Sequence, residues 1–465
     1  MDPRPLHYIA QAVSGELLHG SPDKVVARVC TDSRRAAPDD LFFALAGERH
    51  DAHRFLAEVA RRGAGAIVAE RRKWPAESCP CPVIAVSDTR RALGQLAARY
   101  RRDFVLPVIA VGGSNGKTTT KDLIASVLRQ EKATLWSEAS FNNAIGVPLT
   151  LLRLERSHQA AVLEAGSNHP GELAPLLQMI APSHGVVTNI GREHLEFFGD
   201  LAGVAREEGM MAEGLPAAGT LFLNGDDGWS ESLARRASAR VVRAGLSEGN
   251  DYRAVDIQGD DSGSVFQVRC RRARLDGEYR IQLLGRHQVA NALLALAVGA
   301  EMELDRAAIQ RGLAACIPSK MRLQLCHAGG VRVLDDTYNA NADSMLAALE
   351  TLRALPCSGR RVAVLGDMAE LGESSRPAHA EVGRRAAELN LDQLFAIGTR
   401  AAEMAAAARR GGLRNVVEFL DVDRAAQAVN DFAQPGDAVL VKASRAMRLE
   451  RITETLCNLR TPHEK

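Results

Sequence analysis

The stretch Gly112-Gly113-Ser114-Asn115-Gly116-Lys117-Thr118-Thr119-Thr120 has the composition of a phosphate cradle. It follows the apolar run Val108 to Val111 and precedes a helical pattern over Asp122 to Gln130. Glycines in such a turn let backbone N–H groups converge on phosphate oxygens, and the helix N-terminus adds partial positive charge. Lys117 would reach the β- and γ-phosphates, and the Thr118 hydroxyl would ligate Mg²⁺. Residues Gly112 to Thr119 are therefore the expected contacts of ATP, with Mg²⁺ as its companion. The usual G-x-x-x-x-G-K-[ST] spacing asks for glycine at position 111, where the chain has Val111. The match is to a shorter G-x-x-G-K-T form, Gly113 to Thr118. A plain Gly-rich turn before a helix is the bland alternative, but strand, turn, Lys-Thr pair and helix all agree. A second candidate is Glu164. It ends the apolar run Ala160 to Leu163, where a carboxylate points from a sheet toward the loops at the strand's carboxyl end.

The elements that must position these groups read as three domains. The chain has 465 residues, which at roughly 150 residues per domain suggests about three. Hydrophobic residues make up 46% and charged residues 25%, a globular composition that excludes wholesale disorder. Lys plus Arg number 58 against 57 for Asp plus Glu, so the net charge is +1. With an aromatic share of only 4%, neither nucleic acid nor a membrane surface is an expected partner. Cys79-Pro80-Cys81 has no second ligand pair, which argues against a zinc site. Met1-Asp2-Pro3-Arg4 lacks the start of a secretory signal. No run approaches the about 20 apolar residues of a membrane span. A cytoplasmic protein with reduced thiols is expected, without membrane insertion and as a monomer.

Residues 1–86 read as short strands (Val25 to Thr31, Leu41 to Leu45, Ala66 to Ala69, Val83 to Val86) around a helix from His53 to Arg62 that stops at Gly63. A linker helix follows over Thr89 to Arg101. Residues 87–317 alternate strand and helix, the form of a parallel α/β sheet, with strands at Val108 to Val111, Ala160 to Leu163, Gly185 to Asn189, Thr220 to Leu223 and Arg240 to Val242. Between Asp251 and Leu284 the period changes to two, predicting an antiparallel insert. Helices over Gln288 to Glu301 and up to Ala315 close this part. Residues 318–465 return to five strands (Val331 to Leu334, Val362 to Leu365, Leu394 to Ile397, Val416 to Leu420, Ala438 to Val441) with four crossover helices, predicting a small Rossmann-like domain.

The loop Gly-Ser-Asn-Gly-Lys-Thr-Thr-Thr resembles the ATP loop of the Mur ligases and the related folylpolyglutamate synthetases. Phe141-Asn142-Asn143-Ala144-Ile145-Gly146, Leu163-Glu164-Ala165-Gly166, Gly191-Arg192-Glu193-His194-Leu195-Glu196 and Gly285-Arg286-His287-Gln288-Val289-Ala290-Asn291 follow in the order of that family. Asp336-Thr337-Tyr338-Asn339-Ala340-Asn341, Gly366-Asp367-Met368-Ala369-Glu370-Leu371-Gly372 and Val441-Lys442-Ala443-Ser444-Arg445 are similar to the family's D-alanyl-D-alanine-adding branch. Near the start, Thr31-Asp32-Ser33-Arg34 with Phe42 resembles its uridine-nucleotide domain.

What the resemblance implies is an ATP-dependent, Mg²⁺-using ligase of peptidoglycan precursor synthesis. Its substrates would be a UDP-N-acetylmuramoyl-tripeptide and D-alanyl-D-alanine, and its intermediate an acyl phosphate. By the same resemblance Glu164 and His194 hold Mg²⁺, and Asn142 and Asn143 steer phosphate and substrate. His287 and Asn291, four residues apart on one helix face, take the adenine side. Arg322 meets phosphate and Asp336 ribose. Asn339, Asn341, Lys442 and Ser444 serve the acceptor, and Thr31, Asp32, Ser33, Arg34 and Phe42 the uridine nucleotide. In much of the family a lysine carbamate lies beside the metal, and here that position holds Glu208. Either the Glu208 carboxylate replaces the carbamate as a metal ligand, or it is a solvated helix acid. The alternatives are another Mur-type or folylpolyglutamate-type ligase, or a non-catalytic nucleotide-binding regulator.

Overall fold

The structure, a computed structural model, describes residues 1–47, 50–74 and 81–460. Cys79 lies outside the described residues.

In the first part, the strands Glu16–His19, Val83–Val86, Ala66–Glu70, Asp40–Phe43 and Arg28–Cys30 form one sheet in that spatial order. The expected strand Val25 to Thr31 is split. Val25–Val26 pairs with Arg4–Pro5, and Arg28–Cys30 joins the five-stranded sheet. The expected helix His53 to Arg62 is split too. The Asp51 side chain accepts the His53 N–H, which tightens the opening into a 3₁₀ turn over Ala52–Phe55 before the α-helix Leu56–Arg61. Gly63, at φ +86°, ends it.

The linker helix Thr89–Arg101 starts where expected because the Asp88 carboxylate caps the Arg90 and Arg91 N–H groups. Thr89, Ala92, Leu93, Leu96, Ala97 and Tyr100 share its buried face. That face belongs to a continuous apolar core reaching from Leu41 and Val68 of the first sheet to Leu151, Leu163 and Leu177 of the next part. The linker helix is thus a wedge between the first two parts, within one shared core.

The central sheet has nine strands in the order Gly277–Ile281, Gly263–Cys270, Tyr252–Asp260, Arg240–Gly245, Thr220–Asn224, His184–Val187, Val108–Gly112, Ala160–Glu164, Thr134–Trp136. Tyr252–Asp260 pairs in parallel with Arg240–Gly245. The antiparallel segment therefore extends the same sheet rather than standing apart from it. The three-residue edge strand Thr134–Trp136 was too short to show a period. Val108–Gly112 lies between Ala160–Glu164 and His184–Val187, parallel to both. Chain order reverses at this strand, so the loops after all three carboxyl ends converge on one crevice.

The last sheet runs Gln324–Ala328, Val331–Asp336, Ala438–Lys442, Arg361–Gly366, Gln393–Ile397, Val416–Phe419. Only its first pair is antiparallel. That added edge strand is joined to its neighbour through Gly329-Gly330, both at positive φ.

Candidate functional site

The helix after the phosphate loop begins at Lys117, five residues ahead of the expectation, and runs to Leu128. Gly116 makes this possible. Its φ of +84° turns the chain directly into the helix, and a Cβ there would lie 2.7 Å from the Asn291 amide. The three threonines that obscured the helical period form its first turn, so the N–H groups of that turn face the crevice.

The loop is held from below and from the side. The Gly113 N–H donates to Glu208 Oε2 at 2.6 Å. The Ser114 hydroxyl exchanges hydrogen bonds with the Gly191 backbone, and the Asn115 N–H donates to Asn189 Oδ1 at 3.0 Å. Lys117 Nζ curls over the loop to the carbonyls of Gly113 and Ser114 and to Glu193 Oε2 at 3.1 Å. Burial opposes its charge, but Glu193, Glu208 and Glu164 outweigh that and hold the ammonium above the usual lysine range.

Glu164 is 1% exposed at the end of its strand. Asn142 Nδ2 donates to Oε1 at 2.9 Å, whereas Oε2 is buried without a hydrogen-bond partner. A buried anionic oxygen left unpaired is costly unless a cation meets it. With the Thr118 hydroxyl nearby on the crevice wall, this donor set suits Mg²⁺, a hard cation that takes oxygen ligands.

The last domain closes the crevice, leaving a cleft of about 820 Å³. Arg322 Nη2 donates to Thr118 Oγ1 at 3.0 Å while its guanidinium lies 4.0 Å from the centre of the Tyr338 ring. Lys442, 2% exposed, is 2.6 Å from Asp336 Oδ2 and donates to the Asn339 carbonyl at 2.9 Å. Asn341 caps the helix Ala342–Ala354 and reaches Asn115 Oδ1 at 2.9 Å. Ser444 accepts the Ala369 N–H and donates to the Ala340 carbonyl. His287 is held near pKa 4 by burial and by the nearby Lys442 charge, which keeps its imidazole neutral. Asn291 is tied to Gln288 at 2.9 Å.

The cleft thus gathers Ser114 to Thr119, Asn142, Glu164, His194, His287, Asn291, Arg322, Asp336, Asn339, Asn341, Lys442 and Ser444. Three of the expected contacts lie off the cleft wall. Phe42 is fully buried in the apolar core beneath the first sheet and presents nothing to a ligand. Asn143 caps a short helix, accepting the Ile145 and Gly146 N–H groups with its side chain. Glu208, 1% exposed, lies beneath the loop on the Gly113 N–H and not on the cleft wall, so it is not a solvated acid. Among the described residues no group of three or more His, Cys, Asp or Glu side chains is placed to hold a metal ion. Thr31, Asp32, Ser33 and Arg34 stand apart from this cleft. There Arg34 pairs with Asp32 and holds its carboxyl at about 2.

Other cleft residues had no role on sequence grounds. Glu193 faces Lys117, Glu370 Oε2 lies 2.5 Å from His194 Nδ1, and the Tyr338 hydroxyl meets Ser140 Oγ at 2.5 Å. All three lie inside the motifs quoted above, but only the folded chain shows what they touch.

Models of the Mur ligase family catalytic domain, the Mur ligase middle domain and the Mur ligase glutamate ligase domain match residues 25–101, 111–299 and 321–445. The chain is 36% identical over 460 residues to the UDP-N-acetylmuramoyl-tripeptide–D-alanyl-D-alanine ligase of Escherichia coli (strain K12), covering 97% of this chain and 98% of that protein. A crystal structure of MurF from Acinetobacter baumannii is similar with a TM-score of 0.90 and 33% identity, over 98% of this chain and 99% of that one. MurF from Thermotoga maritima, solved in complex with ADP, is similar with a TM-score of 0.82 and 26% identity, over 93% and 97% of the two chains.

Proposed function

The chain belongs to the Mur ligase family, and from that premise we propose how its residues join D-alanyl-D-alanine to a UDP-N-acetylmuramoyl-tripeptide. The reaction is an ATP-dependent amide-bond-forming ligation of peptidoglycan precursor synthesis. The tripeptide carboxylate attacks the γ-phosphate of ATP to give an acyl phosphate and ADP. The dipeptide amine then attacks the acyl carbon and phosphate leaves.

One observation carries the division of labour. The phosphate loop of the middle domain and the strand-end residues Asn339, Asn341, Lys442 and Ser444 of the last domain face each other across one cleft. A carboxylate and a triphosphate repel each other, so cations and oriented donors are needed where their charges meet. Lys117 and Arg322 supply fixed positive charge at the phosphates. Glu164, steadied by Asn142, and the Thr118 hydroxyl would hold Mg²⁺, which when bound screens the negative charge between nucleophile and phosphate. The helix turn from Lys117 aims its N–H groups at the same anions. His287, neutral, and Asn291 offer hydrogen-bonding groups to a base. Lys442 orients Asp336 for a ribose hydroxyl. Asn339, Asn341 and Ser444 lie where an acceptor amine would enter, and closure of the last domain excludes the water that would hydrolyse an acyl phosphate.

We assign residues 1–86 to the UDP-sugar peptide, with Thr31 to Arg34 at the uridine nucleotide, 87–317 to ATP, and 318–465 to the dipeptide. A cytoplasmic monomer completes the proposal. No helix among the described residues is long and apolar enough to cross a membrane.

The test is phosphate release from ATP. It should require both UDP-N-acetylmuramoyl-tripeptide and D-alanyl-D-alanine, and Lys117→Ala should abolish it. Activity with single amino acids or with glutamate plus folate instead would point to a sibling ligase. Substrate-dependent release persisting in Lys117→Ala would overturn the loop assignment.

A further inference from the structure

Arg192 lies on the loop after the His184–Val187 strand, next to Glu193 and two residues before His194. Its guanidinium turns away from the phosphate loop and into the last domain. Nε and Nη2 donate to Asp343 Oδ1 at 2.8 and 2.6 Å, and the Arg192 backbone N–H donates to Asp343 Oδ2 at 2.7 Å. Nη1 and Nη2 donate to Glu381 Oε2 and Oε1 at 2.5 and 3.3 Å. Asp343 is in the first turn of Ala342–Ala354 and Glu381 is on Ser375–Glu388. A single arginine therefore gathers two helices of the last domain onto a loop of the middle domain.

Isolated surface ion pairs contribute little, but a bidentate fork shared by two carboxylates, with a backbone donor added, is a stronger geometry. The loop is also shaped for the approach. A Cβ at Gly191 would come 2.9 Å from Asp343 Oδ2. On its other side Gly191 is tied to Ser114 of the phosphate loop, Glu193 faces Lys117, and His194 meets Glu370 of the last domain. Docking of the last domain is thereby registered one residue away from the group that faces the phosphate-loop lysine.

We propose that Arg192 is a positioning residue that latches the last domain closed over the phosphate loop through Asp343 and Glu381. This rests on the ligase reading above for its kinetic consequence but not for its structural one. With the latch lost, the acceptor-side residues spend less time facing the acyl carbon. The apparent KM for the dipeptide then rises and kcat falls, while the active-site groups themselves are untouched.

The experiment uses the full chain as wild type, Arg192→Ala, Arg192→Lys, Glu381→Gln and the double variant Arg192→Ala/Glu381→Gln. Small-angle scattering should show a larger radius of gyration for Arg192→Ala than for wild type in the same low-salt buffer, with wild type moving toward the variant at high salt. The KM for D-alanyl-D-alanine should rise roughly tenfold in Arg192→Ala, with partial recovery in Arg192→Lys. Glu381→Gln should cost nothing further once Arg192 is gone, whereas a general loss of stability would add. An Arg192→Ala protein with wild-type scattering, or additive single and double effects, would overturn the latch. If wild type releases no dipeptide-dependent phosphate, the ligase reading fails and the scattering arm still decides the latch.

Discussion

The Lys117 ammonium lies 3.1 Å from the Glu193 carboxylate, across the mouth of the phosphate loop that Lys117 itself closes. An acid so close to the expected triphosphate steadies the lysine before ATP arrives and repels the incoming phosphates. Glu193→Gln removes the repulsion and leaves Lys117 in place. Metal-free ADP should then bind about two- to fivefold more tightly, read by titration calorimetry, whereas Lys117→Ala should weaken it. Weaker binding in Glu193→Gln would show that positioning of the lysine outweighs the repulsion.

Glu208 gives a pH signature. Burial, with Glu193 and Glu207 adding to it, pushes its carboxyl up to about 7 against the pull of Lys117 and the Gly113 N–H. The folded chain then binds this proton more tightly than the unfolded chain, whose glutamate titrates near 4.5. This contribution is complete below about 4.5 and is lost as pH rises through about 7, on the order of 3 kcal/mol for a buried group. Glu208→Gln keeps an acceptor for the Gly113 N–H without the charge. Its melting temperature in the ligand-free protein should match wild type near pH 5 and exceed it near pH 8. Because Glu208 lies beneath the loop, kcat should also stay within about tenfold of wild type. A collapse of kcat by several orders of magnitude would mark it as a metal ligand.

Arg322 offers a contrast between charge and shape. Its guanidinium is stacked on Tyr338 and bonded to Thr118, and the Tyr338 hydroxyl reaches Ser140 of the opposite domain. Tyr338→Leu should raise the KM for ATP roughly fivefold through loss of the cation–π platform, and Arg322→Lys should do at least as much, since an ammonium lacks the planar fork. Tyr338→Phe, which keeps the ring, should sit nearer wild type. Equal effects of the Phe and Leu variants would assign the role to the hydroxyl instead.

How far the sequence could be read depended on how local the cause was. Strands buried on both faces, such as Val108–Gly112 and Val83–Val86, announced themselves as apolar runs. The linker helix followed from Asp88 and its apolar spacing. The start of the Lys117 helix did not, because three consecutive threonines mask a helical period and Gly116 acts through backbone geometry. In the cleft, residues singled out by type and motif, such as Lys117, Glu164 and Arg322, line one cavity. Glu193, Tyr338 and Glu370 act through partners distant in the chain, and pairing of that kind has no sequence period. Phe42 and Glu208 show the converse. Their positions in a motif suggested contact with ligand, but burial decides which way a side chain faces, and it turned one into a core residue and the other into a support for the loop.

Tyr100 tests the wedge between the first two domains. It is fully buried on the linker helix, where its hydroxyl donates to the Leu154 carbonyl at 2.6 Å and accepts the Asp2 N–H at 2.6 Å. Three segments far apart in sequence thus meet at one oxygen. Tyr100→Phe keeps the ring in the shared core and strands a buried carbonyl and an N–H, which should cost about 1–3 kcal/mol. Tyr100→Ala also opens a cavity, for about 3–5 kcal/mol. Calorimetry should show the first melting transition moving down in that order, with the last domain, which Tyr100 does not touch, melting as before. A last-domain transition that shifts equally would mean that the three domains unfold as one unit and that the wedge is only part of a larger cooperative whole.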